Sequence, residues 1–143
     1  MSVVELWKTH QTPVDLGTRN DAPEEGPLSL TPPPRGSVFR IAEFPPEPDE
    51  GTRLEDAAAM FEKMGAGLAS GGKTDARSAL MHCTDTMDYG IVLEGEITML
   101  VDDGAVVLRA GDVVIQRGSN HGWVNRSGRY CRMAFVLIDG AKS

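Results

Sequence analysis

Residues 78–109 read SALMHCTDTMDYGIVLEGEITMLVDDGAVVLR. Short apolar runs follow one another here, divided by residues that favour turns. Asp102-Asp103-Gly104 separates the run 96–101 from the run 105–109 and reads as a hairpin turn. The same punctuation continues downstream, where Ala110-Gly111-Asp112 and Ser127-Gly128-Arg129 are further turns. Strands are expected over 79–84, 89–94, 96–101, 105–109, 112–116, 121–125 and 131–138. Many short strands at such close spacing predict an all-β sandwich or barrel.

The chain upstream is of a different kind. Residues 12–50 contain all nine prolines. Proline removes a backbone donor and restricts the residue before it, so long regular elements are not expected there. This region reads as an extended arm, interrupted by one strand over 37–44 in which Val38, Arg40 and Ala42 alternate with Phe39, Ile41 and Glu43. Residues 52–64 read as a short helix. Thr52 is its N-cap, with Glu55 three residues on, and Leu54, Ala57, Ala58, Phe61 and Met64 form an apolar stripe that ends at Gly65 and Gly67. A glycine-rich loop follows at 70–75. The expected divisions are an arm over 1–50, a helix and loop over 51–77, and a β-barrel core over 78–143.

Composition narrows the function classes. The chain has 143 residues, 41% hydrophobic and 24% charged, which is globular, and its formal net charge is −7. An acidic chain is a poor match for nucleic acid or for an anionic membrane surface. Arg77, Arg117, Arg126 and Arg132 could still meet a small anionic ligand locally. No apolar run reaches the roughly 20 residues of a membrane helix, and the first residues lack the pattern of a signal peptide, so a cytoplasmic location is expected. Cys83 and Cys131 lie too far apart in sequence for a metal clip and read as free thiols.

The residues that carry chemistry lie in the strand-rich half. His82 and Thr84 are two apart and face one side of a strand, and Cys83 faces the other. Asp88 follows after a short polar stretch, and His121 stands on another expected strand. Two imidazoles and a carboxylate converging in a barrel would form a facial triad suited to Fe(II), with Mn, Zn or Ni as further choices. Gly67-x4-Gly72-Lys73-Thr74 matches a phosphate-binding loop formally. It follows a helix rather than a strand and leads into a strand, so it lacks the context that such a loop requires.

The spacing resembles that of the cupin family. The first cupin motif, G-x5-H-x-H-x3,4-E-x6-G, is met by His82-x-Thr84-x3-Asp88-x6-Gly95, with Tyr89 to Glu96 similar to the family's usual strand and turn. The second, G-x5-P-x-G-x2-H-x3-N, is met by Gly111-x4-Gln116-x-Gly118-x2-His121-x3-Asn125. Ala76, Thr84, Asp88 and Gln116 depart from the pattern, standing where the family has glycine, histidine, glutamate and proline. The resemblance covers residues 78–138. It implies a double-stranded β-helix, or jelly-roll barrel, carrying the arm and one short helix.

The resemblance also implies a divalent metal (Fe, Mn, Zn or Ni) held by His82, Asp88 and His121. Asp88 and Thr84 are then the candidate catalytic groups. Gln116, Tyr89, Trp123 and Asn125 are candidates for contact with a small-molecule ligand; Asn125 also fits a turn-stabilising role, and Tyr89 and Trp123 a packing role. Two functions follow as expectations. One is a metal-dependent enzyme of dioxygenase, isomerase, dehydratase or cyclase type, acting on a small oxygen-rich or aromatic metabolite. The other is a metal-free binding or sensor module using the same pocket. A homodimer is expected, with the arm covering sheet edges.

Overall fold

The apolar stretch 89–101 folds as two strands because Gly95 stands between them with φ at +85°. A Cβ at Gly95 would lie 2.6 Å from the Tyr130 carbonyl oxygen, so the turn admits only glycine without movement of the backbone. On either side are β4 (Thr86–Glu94) and β5 (Glu96–Val101). The computed structural model describes residues 1–17, 28–47 and 81–142. The expected helix over 52–64, the loop at 70–75 and the phosphate-loop-like stretch lie outside these residues.

Among the described residues the remaining strands are β1 (Ser2–Thr9), β2 (Ser37–Phe44), β3 (Met81–His82), β6 (Gly104–Arg109), β7 (Val113–Arg117), β8 (His121–Val124) and β9 (Cys131–Asp139). They form a five-stranded sheet in the order β1-β2-β9-β4-β7 and a four-stranded sheet in the order β3-β8-β5-β6. Every pairing is antiparallel. After β4 the chain passes back and forth between the sheets, which makes an all-β double-stranded β-helix. No helix among the described residues is long and apolar enough to cross a membrane.

The register fixes which residues share the interior. Val38 pairs with Leu137, and Leu137 with Asp88; Ala42 pairs with Met133, and Met133 with Val92. Side chains alternate along a strand, so Arg40 on β2 and Thr86 and Gly90 on β4 point inward with them. The apolar core lies between the sheets at one end. Val92, Cys131 and Met133 come from the larger sheet and Ile97, Met99 and Leu108 from the smaller. Burying each of the larger side chains contributes about 1.5–3 kcal/mol.

The strand over 37–44 stands as read and lies inside the chain's own five-stranded sheet, between β1 and β9. Ser2–Thr9 forms a further strand that the sequence did not announce, because a bulge between Glu5 and Trp7 breaks its alternation. The prolines at 13, 32, 33, 34, 45 and 46 fall outside the strands, where no ladder bond is lost.

Candidate functional site

At the end of the barrel away from that core, polar side chains gather beside Val38 and Leu137. β3 is a strand of two residues, and its register with β8 sets His82 directly opposite His121. The two rings lie with centroids 4.3 Å apart and planes at 59°. His121 Nδ1 meets the Ser119 carbonyl oxygen at 2.8 Å. A carbonyl only accepts, so Nδ1 carries the proton and Nε2 of the neutral ring holds the lone pair. Burial, and then the neighbouring His121, push the His82 imidazole down to about 3. His82 is therefore uncharged at neutral pH.

A second group converges from β4. Thr86 donates its hydroxyl to Asp88 Oδ1 at 2.6 Å, and Thr84 Oγ1 stands 2.7 Å from Thr86 Oγ1. A hydroxyl has one proton to give, so Thr84 donates to Thr86 and Thr86 to Asp88. Asp88 is 8% exposed. Burial raises its carboxyl above the usual range, against the opposing pull of the Thr86 hydrogen bond, His121 and Arg40.

Gln116 faces Asp88 across the β4–β7 ladder. It donates Nε2–H to the Met99 sulfur at 2.9 Å and accepts from the Ser119 hydroxyl, so its amide joins the polar end of the barrel to the core. Trp123 follows His121 on the same face of β8, 6.0 Å from its ring, and packs against Phe135 and Phe44.

Two expected ligand contacts are not brought to this end. Tyr89 alternates with Asp88 and lies on the outer face of β4. Asn125 is committed to its own turn: Nδ2 donates to the Phe44 and Arg129 carbonyls, and Oδ1 accepts from the backbone and hydroxyl of Ser127.

Sequence reasoning also passed over two residues that the barrel places here. Thr86, in the short polar stretch before Asp88, begins β4. Arg40 is 4% exposed and faces inward from β2. Its Nη2 donates to the Ser29 carbonyl at 2.9 Å and lies 3.8 Å from Glu5 Oε1. The available signal was its alternation with Val38 and Ala42, which put a guanidinium on an otherwise apolar face.

The implied metal can be tested against these donors. Among the described residues no three His, Cys, Asp or Glu side chains stand together so as to hold an ion. His82 and His121 meet, but Asp88 is held by Thr86, and a threonine hydroxyl replaces the family's second histidine. Among the described residues His82, Asp88 and His121 do not stand together as a three-ligand set.

Residues 71–138 match the family model described as the cupin domain. The chain therefore carries a cupin domain over these residues. Over 139 residues, 93% of its length, this cupin is 35% identical to "Phomopsin biosynthesis cluster protein C'" of Diaporthe leptostromiformis, covering 58% of that protein. It is 28% identical to the cupin-domain-containing oxidoreductase fogC of Aspergillus ruber over 94% of this chain and 54% of that protein. The chain thus spans little more than half the length of these relatives. A solved double-stranded β-helix protein from Klebsiella pneumoniae aligns at TM-score 0.49 with 18% identity, over 85% of this chain and 84% of that one.

Proposed function

We propose that this cupin binds a small oxygen-rich or aromatic metabolite at the polar end of its barrel and moves a proton on it. The reaction type is that of an isomerase, dehydratase or cyclase. The observation that carries the reading is the hydrogen-bonded chain Thr84–Thr86–Asp88, buried at Thr86 and Asp88, beside the His82–His121 pair. The Nε2 lone pair of His121 can take a proton. Asp88, raised by burial, can hold a proton and return it. Thr84 and Thr86 hold the carboxyl in one orientation. Relatives named for a biosynthesis cluster and for oxidoreductase activity support an enzyme-like role in small-molecule metabolism.

The test is solvent deuterium uptake, followed by NMR, with a panel of hydroxyaromatic and keto acids. Asp88→Asn and His121→Ala are each expected to slow uptake at least about 100-fold while the barrel stays folded. Binding without any exchange in the wild type would leave the metal-free binding or sensor module as the function. Elemental analysis of protein purified without a histidine tag completes the test, with metal well below one per chain expected. Stoichiometric Fe, Mn, Zn or Ni, lost in His121→Ala, would restore the metal-dependent enzyme with His82, Asp88 and His121 as ligands.

We also infer a homodimer. Val4, Trp7, Phe39, Leu93, Val113 and Ile115 expose apolar surface, and they all lie on the outer face of the five-stranded sheet. A groove of about 450 Å³ crosses this face, lined by Val4, Leu6, Ile41 and Leu93, with Glu43 and Arg132 beside it. Apolar area of this extent supports a second copy as its cover. Sedimentation that shows only monomer at micromolar concentration would count against it.

A further inference from the structure

We propose that Arg40 anchors the carboxylate of a small organic acid held in the barrel. The inference rests on the proton-transfer reading above and names the substrate class.

Arg40 is buried inside the barrel wall, and a guanidinium keeps its charge there. A buried charged donor normally has each N–H satisfied, since an unpaired one is costly. Here Nη2 reaches the neutral Ser29 carbonyl, and Glu5 stands at 3.8 Å, beyond hydrogen-bond reach. Nε is buried with no hydrogen-bond partner among the described residues. One Arg40 donor is thus left open by the surrounding protein. Ser29 and Glu5 steady the other side of the fork.

The placement is inward. Arg40 lies on the same face as Val38 and Ala42 and is near enough to Asp88 to interact with its charge. Asp88 does not fill the open donor, since Arg40 Nε has no hydrogen-bond partner among the described residues and Asp88 Oδ1 takes the Thr86 hydroxyl. An acceptor arriving at Nε from the barrel would therefore sit within reach of the Asp88 charge that Arg40 itself feels. A carboxylate suits a planar guanidinium better than any other small acceptor does. A lysine in this place would supply charge without the Nε–H.

The test is an NMR titration of the full chain that follows the Arg40 Nε–Hε resonance, assigned through bonds. Acetate and benzoate are the probes, with acetamide and benzamide as neutral controls. The carboxylates are expected to shift the resonance saturably and the amides to leave it in place. Arg40→Lys is expected to weaken benzoate binding at least tenfold with the rest of the spectrum retained. Shifts at the Trp123 indole and His121 with Arg40 untouched would overturn the anchor and leave the pocket reading standing. An equal response to amides, or no response to any carboxylate, would also overturn it. Arg40 shifts without deuterium uptake would uphold the anchor and remove the proton-transfer function.

Discussion

Strand β4 has two faces that reverse the usual arrangement. Its inner face carries Thr86 and Asp88, both buried, before it reaches Val92; its outer face carries Met87, Tyr89, Ile91 and Leu93. Strand β7 beside it repeats the contrast. Gln116 is buried within, and Val113 and Ile115 are 60% and 52% exposed on the outside. The polar residues tolerate burial because partners meet them: Thr86 on Asp88, and Met99 and Ser119 on Gln116. The alternation of a strand therefore shows that its two faces differ, and only the hydrogen bonds show which face is inside.

The contrast is open to direct attack. Met133→Ala removes a fully buried side chain from the inner apolar end and is expected to cost about 2–5 kcal/mol, against less than about 1 kcal/mol for Ile115→Ala on the outer face. Chemical denaturation of both variants checks this, and equal losses would break the comparison.

Acid tests the polar end. His82 titrates at about 3 in the folded chain against an ordinary value of 6.5. Below pH 6.5 the unfolded chain takes up a proton that folded His82 refuses, so this stability is present above 6.5 and is lost as pH falls toward 3. The loss from this residue is roughly 2–3 kcal/mol by pH 4.5. Asp88, raised by burial, works in the opposite direction, so the measurement is the difference in pH slope between wild type and His82→Gln. Identical slopes would remove His82 from the buried interior.

The outer face predicts a change in assembly with little change in fold. Val113→Lys combined with Ile115→Lys is expected to shift sedimentation toward monomer and move the unfolding midpoint of the monomer only slightly. The smallest effect is chemical. Cys131 is fully buried and its thiol is pushed up to about 11, whereas Cys83 is half-buried. Native labelling should modify Cys83 and spare Cys131 until the chain unfolds. Equal rates would show that the inner face opens readily.

Much of this fold is legible in the sequence. The strands over 37–44 and 96–101 stand as read, since apolar alternation and turn residues bound both. The start of β4 was hidden, because Thr86-Met87-Asp88 is polar by composition and its strand character comes from the ladders to β9 and β7. β1 was hidden by its bulge. At the site, family spacing located His82 and His121, and the β3–β8 register joins them. It could not foretell that Thr86 would take Asp88, which depends on three residues rising together along one face. Tyr89 outside and Trp123 inside were legible from alternation, since Tyr89 adjoins Asp88 and Trp123 stands two residues from His121.

The bulge between Glu5 and Trp7 has an optical consequence. The chain has two tryptophans. The extra residue in β1 turns Trp7 outward, 49% exposed, while Trp123 stays inside beside His121. Each face of the barrel therefore carries its own fluorophore. Emission from a Trp123→Phe variant will respond to events on the outer surface, and emission from a Trp7→Phe variant to events beside His121. The proposed second copy and the proposed ligand would thus each be read by a different tryptophan of an unlabelled protein.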